Sequence, residues 1–198
     1  PKAVAAPQPK PAPAPAPAPG IEADKFYRIK STTVGNYMAI RDENANTHGH
    51  VYGADFNADD KDQIFSFIPV EGEENNYYVV SLAGKYISEQ GTGYGWNVNY
   101  TEDASQALKL TFVPVEGAEL QYTIKCYNSS KLAECYFKYE YVGASGKYHP
   151  YNDAAESAAE VWALEEVVVA PEPEPLEVVG YTPAEAVEKL ETITVTFS

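Results

Sequence analysis

The stretch that decides the fold is Phe67-Ile-Pro-Val-Glu-Gly72, because it recurs 45 residues later as Phe112-Val-Pro-Val-Glu-Gly117. A degenerate third copy, Leu164-Glu-Glu-Val167, follows 52 residues after the second. Self-similarity at such a period is typical of architectures that repeat one supersecondary unit. The residues two positions before the three copies are all large and apolar: Phe65, Leu110 and Trp162.

The segments between these copies predict four short strands in each repeat. A first strand rich in aromatic and β-branched residues leads through a polar turn into a second strand. The second strands are predicted to open at Tyr37, Tyr86 and Leu132. Three repeats of four strands match a β-trefoil, in which six strands close a barrel and six cap it as hairpins, whereas a propeller needs at least four blades. The predicted fold class is all-β, a β-trefoil over residues 24–168 with repeats at about 24–75, 76–120 and 121–168.

Proline-rich segments flank the predicted trefoil. Eight of the 15 prolines lie in the first 20 residues, so residues 1–23 are predicted to form an extended polyproline II linker. A Pro/Glu-rich linker is predicted over 169–176. Residues 177–198, with the alternating run Ile193-Thr-Val-Thr-Phe197, resemble the truncated start of an immunoglobulin-like β domain. Because the sequence starts with neither a Met nor a leader, we expect it to be a piece of a longer, multidomain bacterial protein. We expect that protein to be exported and to be either extracellular or at the cell surface.

The charge balance excludes two classes of partner. With 14 basic and 29 acidic residues, the formal net charge is −15. Nucleic acid and anionic lipid both demand a basic surface, and no apolar run approaches the roughly 18 residues of a membrane span. We therefore expect no nucleic acid, no membrane insertion, and a monomeric module within a longer chain.

Catalytic and metal-binding patterns are missing from the sequence. It contains no Gly-x-Ser-x-Gly and no His-Glu-x-x-His motif. Asp42-Glu-Asn44-Ala-Asn46 begins like a calcium loop, but Thr47 and Gly53 stand where the loop's glycine and final glutamate should be. His48 and His50 have no second pair of ligands, which favours a solvated turn over a zinc site. We expect no catalytic residue, no metal and no cofactor.

The closing strands, the Gly-Asn-Tyr and Gly-Lys-Tyr hairpins and the aromatic-rich first strands carry a resemblance to ricin-type β-trefoil lectin domains. The resemblance covers about residues 24–168 and implies carbohydrate binding. In that family an Asp early in each repeat accepts sugar hydroxyls, and an aromatic ring on the third strand stacks on the sugar. The family's Gln-x-Trp positions correspond to Gln63-Ile-Phe65, Leu108-Lys-Leu110 and Glu160-Val-Trp162, of which only the first keeps Gln and only the third keeps Trp.

The resemblance points to a sugar site in the third repeat. The family's carboxylate position falls on Ala39, Ser88 and Glu134, so only the third repeat keeps an acid. Rings and planar polar groups together offer a sugar both C–H contacts and hydrogen bonds. The alternative is that the tyrosines of this repeat, Tyr148 and Tyr151, belong to the core and the hairpin cap. The residues expected to contact the sugar beside Glu134 are Tyr148, His149, Tyr151, Asn152 and Asp153.

A second candidate surface is the glycine-rich loop Gly91-Thr-Gly-Tyr-Gly-Trp96, together with Asn97. A loop with three glycines can bury little of itself, so we expect Tyr94 and Trp96 to be exposed for glycan contact. The alternative is that Trp96 folds back over the mouth of the barrel.

Cys126 and Cys135 flank the first predicted hairpin of the third repeat. Counting inward about the turn pairs these two cysteines with each other, then Tyr127 with Glu134. Directly opposed residues come within reach of a disulfide if that register holds. A disulfide and two buried thiols both remain open.

The leading hypothesis is a non-catalytic carbohydrate-binding module that recognises a glycan, polysaccharide or glycoprotein through exposed aromatic rings and amides. The alternative is a structural or protein-interaction trefoil with decayed sugar sites, acting as a spacer or docking domain. Burial of Trp96, Tyr148 and Tyr151 together would remove the reason for expecting sugar binding.

Overall fold

Twelve antiparallel strands make up the part of the chain that the computed structural model describes, residues 20–41, 50–89, 97–143 and 146–170. The two predicted linkers lie largely outside these residues, and the immunoglobulin-like start lies wholly outside them. In chain order the strands are β1 (Phe26–Ser31), β2 (Tyr37–Ile40), β3 (Val51–Ala54), β4 (Phe65–Pro69), β5 (Asn76–Ser81), β6 (Tyr86–Glu89), β7 (Val98–Thr101), β8 (Lys109–Pro114), β9 (Gln121–Asn128), β10 (Ala133–Val142), β11 (Lys147–Ala154) and β12 (Val161–Val167).

Six of these strands form a closed barrel. The pairings run from β1 through β4, β5, β8, β9 and β12 back to β1, and all are antiparallel. At the seam between the first and last strands, the ladder extends from the pair Phe26–Val167 to the pair Ser31–Trp162. Closing the sheet on itself gives each of the six strands two neighbours and so removes the exposed edges of an open sheet.

The other six strands form three hairpins, β2–β3, β6–β7 and β10–β11. Each hairpin is joined to the barrel because its first strand also pairs with the barrel strand before it. A six-stranded barrel capped by three hairpins is a β-trefoil, which confirms the fold class predicted from the repeat.

Aromatic side chains from the repeated stretches fill the barrel. Phe67 and Phe112, the first residues of the two clear copies, are buried with their ring centroids 5.1 Å apart. Tyr27 contacts Phe67 edge to face at 5.5 Å, and Tyr122 contacts Phe112 in the same way at 5.8 Å. Edge-to-face packing is a favourable arrangement for such rings. The repeat that predicts the fold therefore also supplies its core.

The repeat fixes the turns between barrel strands as well. Gly72 and Gly117 both have a φ of 75°, a left-handed conformation that glycine adopts at little cost. In both turns the valine two positions before the glycine, Val70 or Val115, donates its backbone N–H across the turn at 2.9 Å. The two copies of Val-Glu-Gly therefore build the same turn twice.

Gly53 on β3 marks a close approach between the first and third repeats. A Cβ atom built at Gly53 would lie 1.8 Å from the Tyr139 hydroxyl oxygen and 2.3 Å from Asn36 Nδ2. These two side chains are bonded to each other, since the Tyr139 hydroxyl donates to Asn36 Oδ1 at 2.6 Å. The Tyr139 ring also packs against Trp162 at 4.9 Å, which limits its retreat.

We expect Gly53→Ala to lower the free energy of unfolding by about 1–3 kcal/mol, because the added methyl group overpacks this contact. Chemical denaturation measures the effect. Gly143→Ala is the matched control, since a Cβ there meets nothing within 4 Å. Equal stability of the two variants would contradict the close approach.

Candidate functional site

The β9–β10 hairpin places the two cysteines in the predicted register. Cys126 lies directly opposite Cys135, and Tyr127 lies opposite Glu134, as the count about the turn predicts. Both thiols are buried and free. Burial raises the pKa of the Cys126 thiol to about 12. The register is confirmed, and the disulfide stays a prediction.

The same hairpin corrects the alignment that selected Glu134. The pairing of second and third strands begins at Tyr37 in the first repeat, at Tyr86 in the second and at Tyr136 in the third. Ala39 and Ser88 lie two residues after these starting points. The same count in the third repeat reaches Lys138, whereas the sequence alignment places Glu134 at this position. The error arises because the β9–β10 hairpin is longer than its counterparts, so β10 begins before its cap pairing begins.

Glu134 lies on the outside of the β9–β10 hairpin, apart from the tyrosines expected beside it. Its side chain is 62% exposed, and its carboxylate accepts a hydrogen bond from Lys125 Nζ at 2.7 Å. Tyr148 pairs with Tyr141, seven residues further along β10, or about 23 Å at the rise of a strand. The predicted grouping of Glu134 with Tyr148 is therefore wrong.

Four of the predicted contact residues are buried where the cap hairpins meet: Asn97, His149, Tyr151 and Asn152. The His149 ring lies 5.7 Å from the ring of Tyr52 on β3, and Tyr151 forms a β-bridge with Asn97. Their predicted exposure to a sugar is wrong, because the three hairpins pack against one another at these positions.

Asn152 belongs to a buried polar network that joins the cap to the β9–β10 hairpin. Asn128 Nδ2 donates to the Asn152 carbonyl oxygen at 2.8 Å, and Asn152 Nδ2 donates to Cys126 Sγ at 3.5 Å. Glu89 Oε1 accepts from Asn152 Nδ2 at 3.3 Å and from the Ser129 backbone N–H at 3.0 Å. Buried amides are normally satisfied in this way. The amide expected to contact a glycan instead holds the fold together.

Of the other residues predicted to contact a sugar, Asp153 lies within the described residues, whereas Tyr94 and Trp96 do not. Asp153 is partly exposed, and its Oδ1 atom lies 3.2 Å from Lys138 Nζ. Tyr94 and Trp96 lie outside the described residues, so their exposure stays a prediction.

Tyr148 reaches the surface in a cluster that we call the tyrosine ladder, defined as Tyr139, Tyr141 and Tyr148. The half-buried Tyr148 ring stacks on Tyr139 at 5.3 Å with an angle of 27° between the rings. Its other neighbour is Tyr141, at 5.3 Å and 60°, which is 60% exposed. Trp162 supports Tyr139 from the barrel at 4.9 Å. The ladder therefore runs from the barrel seam to the surface, and the sequence reasoning missed Tyr141.

The inner member of the tyrosine ladder remains a neutral phenol. Burial raises the pKa of Tyr139 well above its usual range, and the hydrogen bond with Asn36 only partly opposes this. The neutral hydroxyl donates to Asn36 Oδ1 and is fixed in direction. The outer two rings are thus held by a rigid base.

A second exposed ring, Phe56, follows β3 in the first repeat and is 58% exposed. Tyr37 contacts it at 5.5 Å, and the Arg28 guanidinium carbon lies 4.8 Å from its centroid. The Tyr37 hydroxyl donates to one Glu165 carboxylate oxygen at 2.9 Å, and Lys30 Nζ donates to the other at 2.9 Å. This cluster combines an exposed ring with nearby charged hydrogen-bonding groups.

Glu165 stays ionised next to Tyr37 and Lys30. Partial burial acts to raise its pKa, but the hydrogen bonds from Lys30 and Tyr37 outweigh that effect, and the net pKa is lowered. At neutral pH the cluster therefore offers a carboxylate that accepts hydrogen bonds.

Gln63 holds the backbone on both sides of Phe56 in place. Its buried side chain donates from Nε2 to the Asp55 carbonyl at 2.7 Å, and its Oε1 atom accepts the Asn57 N–H at 3.1 Å. Gln63 thus ties down both neighbours of Phe56. The sequence reasoning named Gln63 in the closing motif but missed Phe56.

Within the described ranges, no three His, Cys, Asp or Glu side chains are grouped so as to hold a metal ion. His50 instead contacts Tyr100 at 5.2 Å and bonds through Nδ1 with the Arg41 carbonyl at 2.9 Å. That same part of the chain includes no helix long and apolar enough to cross a bilayer.

Solved β-trefoil structures share this architecture. The β-trefoil protein BEL matches with a TM-score of 0.55 and 18% identity, over 75% of this chain and 98% of that one. The ricin B-like lectin of Macrolepiota procera, solved with lactose, matches with a TM-score of 0.53 and 14% identity, over 74% and 99%. This chain is a β-trefoil. At such identities the likeness shows the fold alone.

The fold also occurs as one part of larger enzymes. An endo-β-galactosidase of Clostridium perfringens that releases GlcNAcα1-4Gal matches with a TM-score of 0.51 and 16% identity. The match covers 73% of this chain but 33% of the enzyme. Neither a protein-family model nor a curated protein matches the sequence.

We expect Cys126 and Cys135 to form a disulfide slowly when the protein is incubated with oxidised glutathione. The two thiols lose two hydrogens, and glutathione disulfide is reduced to two glutathione thiols. Because the thiolate is the attacking species, the raised pKa of Cys126 should make the rate climb with pH. The bond should add about 2–3 kcal/mol at most to the free energy of unfolding.

Alkylation followed by mass spectrometry counts the free thiols, and thermal unfolding measures the gain. Cys135→Ser is the control and should gain no stability under the same treatment. Two free thiols at every pH after prolonged incubation would contradict the disulfide.

Proposed function

We propose that this β-trefoil is a non-catalytic carbohydrate-binding module that binds a glycan on the tyrosine ladder. The observation that carries the proposal is the cross-strand pair Tyr141–Tyr148, which places an exposed ring beside a half-buried one on the β10–β11 hairpin. We further propose an extracellular or cell-surface location, in keeping with the proline-rich segments that flank the trefoil.

The chemistry of the ladder suits a sugar ring. A pyranose has an apolar C–H face that packs on an aromatic ring, and hydroxyl groups around its rim that need polar partners. Tyr141 and Tyr148 supply the rings and two phenol hydroxyls. Because Tyr148 stacks on Tyr139, little ring motion has to be lost on binding.

The carboxylates near the ladder support binding rather than hydrolysis. A glycosidase needs two carboxyl groups on opposite sides of the scissile bond, one of them able to act as an acid. Glu160 instead accepts from the Ser31 hydroxyl at 2.7 Å and from the Thr33 hydroxyl at 2.9 Å. Glu140 lies 2.9 Å from Lys138 Nζ. Both groups are engaged in holding neighbouring side chains.

A solved lectin structure adds support at the level of the fold. The Macrolepiota lectin was solved with lactose, so the same arrangement of barrel and hairpins is compatible with saccharide binding. The alternative of a structural or protein-interaction trefoil predicts no glycan binding at all, and the following experiment separates the two.

We expect the wild-type chain to bind a subset of glycans on an array of host, plant and bacterial saccharides. Tyr141→Ala should weaken that binding about tenfold, because losing one stacked ring costs roughly 1–1.5 kcal/mol. Phe56→Ala is the matched control, since it removes an equally exposed ring from another repeat.

Circular dichroism and thermal unfolding should show that both variants keep the fold. Absence of any glycan binding by the wild-type chain would refute the proposed function and favour the interaction role. Loss of binding in Phe56→Ala, with Tyr141→Ala unaffected, would refute the ladder as the site.

A further inference from the structure

The outer wall of the barrel carries a line of side chains that the proposed function does not use. Across β4, β5 and β8, Ile68 pairs with Tyr78 and Tyr78 pairs with Lys109. The β8–β9 register, continued two residues past its last pair, brings Lys109 level with Tyr127, which pairs with Glu134 on β10. We call these five residues, Ile68, Tyr78, Lys109, Tyr127 and Glu134, the wall row.

The members of the wall row face outward. Side chains alternate along a strand, and the strand neighbours Tyr77 and Cys126 pack toward the core. Ile68 is 41% exposed and Tyr127 is 53% exposed. The pKa of Lys109 is raised, mainly by its hydrogen bond to Glu73.

The spacing of the two tyrosines suits an extended chain of sugars. Tyr78 and Tyr127 lie two strands apart, which is about 10 Å. That distance is comparable to the length of a disaccharide in an extended β-linked polysaccharide. Such a chain stays nearly straight and presents the flat faces of its sugar rings at regular intervals, so one chain would contact both rings. A coiled α-linked chain would not keep this spacing.

The charges of the wall row are paired on the same face. Lys109 Nζ lies 2.7 Å from a Glu73 carboxylate oxygen, and Lys125 Nζ lies 2.7 Å from Glu134. On a chain with a net charge of −15, this wall is locally neutral. An uncharged chain would meet neither repulsion nor a large desolvation cost here.

The composition of the wall row argues for a saccharide over a protein partner. The centres of protein–protein interfaces are depleted in charged residues, whereas here Lys109 stands between the two tyrosines. Rings that alternate with hydrogen-bonding groups match the alternating C–H faces and hydroxyls of a polysaccharide. We infer that the wall row binds an extended, uncharged, β-linked polysaccharide; this inference rests on the proposed carbohydrate-binding function but uses a surface distinct from the tyrosine ladder.

Affinity gel electrophoresis with hydroxyethyl cellulose tests the inference, with dextran as the α-linked comparison. We expect the wild-type chain to be retarded by hydroxyethyl cellulose and not by dextran. Tyr127→Ala should reduce the retardation at least fivefold, and Tyr127→Phe should retain it because the ring remains. Tyr141→Ala should be retarded like the wild type.

Tyr127 is exposed, so its variants should fold, and thermal unfolding checks this. Unretarded wild-type protein, or full retardation of Tyr127→Ala, would overturn the inference. A Tyr127-dependent dimer in size-exclusion chromatography, without retardation, would also overturn it and point to a protein contact. If the glycan array shows binding that depends on Tyr141 but the gel shows no retardation, the wall row is overturned as a binding site and the tyrosine ladder stands. If the gel shows retardation that depends on Tyr127 but the array shows no binding that depends on Tyr141, only the ladder is overturned.

Discussion

The seam between β1 and β12 is the constraint on which the other features of this chain depend. Its ladder from Phe26–Val167 to Ser31–Trp162 joins the first repeat to the last and closes the barrel around the edge-to-face aromatic core. Trp162 lies at this seam and supports Tyr139, the base of the tyrosine ladder. Opening the seam would expose the core and remove that support, so stability and the candidate glycan surface share one origin.

The packing of the three cap hairpins decides which aromatic side chains reach the surface. Hairpins from different repeats meet through His149 and Tyr52 and through Asn97 and Tyr151. These contacts bury amides and rings that the sequence offered as glycan contacts, and they leave Tyr141 exposed. The candidate surfaces are therefore what remains after the cap has satisfied its own packing and hydrogen bonding.

Local patterns predicted the fold and part of the register, and failed for the site. The Phe-x-Pro-Val-Glu-Gly copies predicted the trefoil because the same residues build both its core and its turns. Counting about one turn placed Cys126 opposite Cys135, since a hairpin's register depends on its own loop. Glu134 was misassigned because the longer β9–β10 hairpin shifts the alignment, and no local signal marks that extension.

Chain order and residue type were enough to establish a threefold β architecture, an acidic net charge and the register that sets Cys126 opposite Cys135, because each follows from local periodicity or from composition. Tertiary structure alone decided which side chains are buried and which are exposed. It buries Tyr151 and Asn152, exposes Tyr141 and Phe56, and aligns Tyr78 and Tyr127 in the wall row. The reason is physical. These properties depend on contacts between strands that are distant in sequence, and barrel closure and hairpin packing create those contacts.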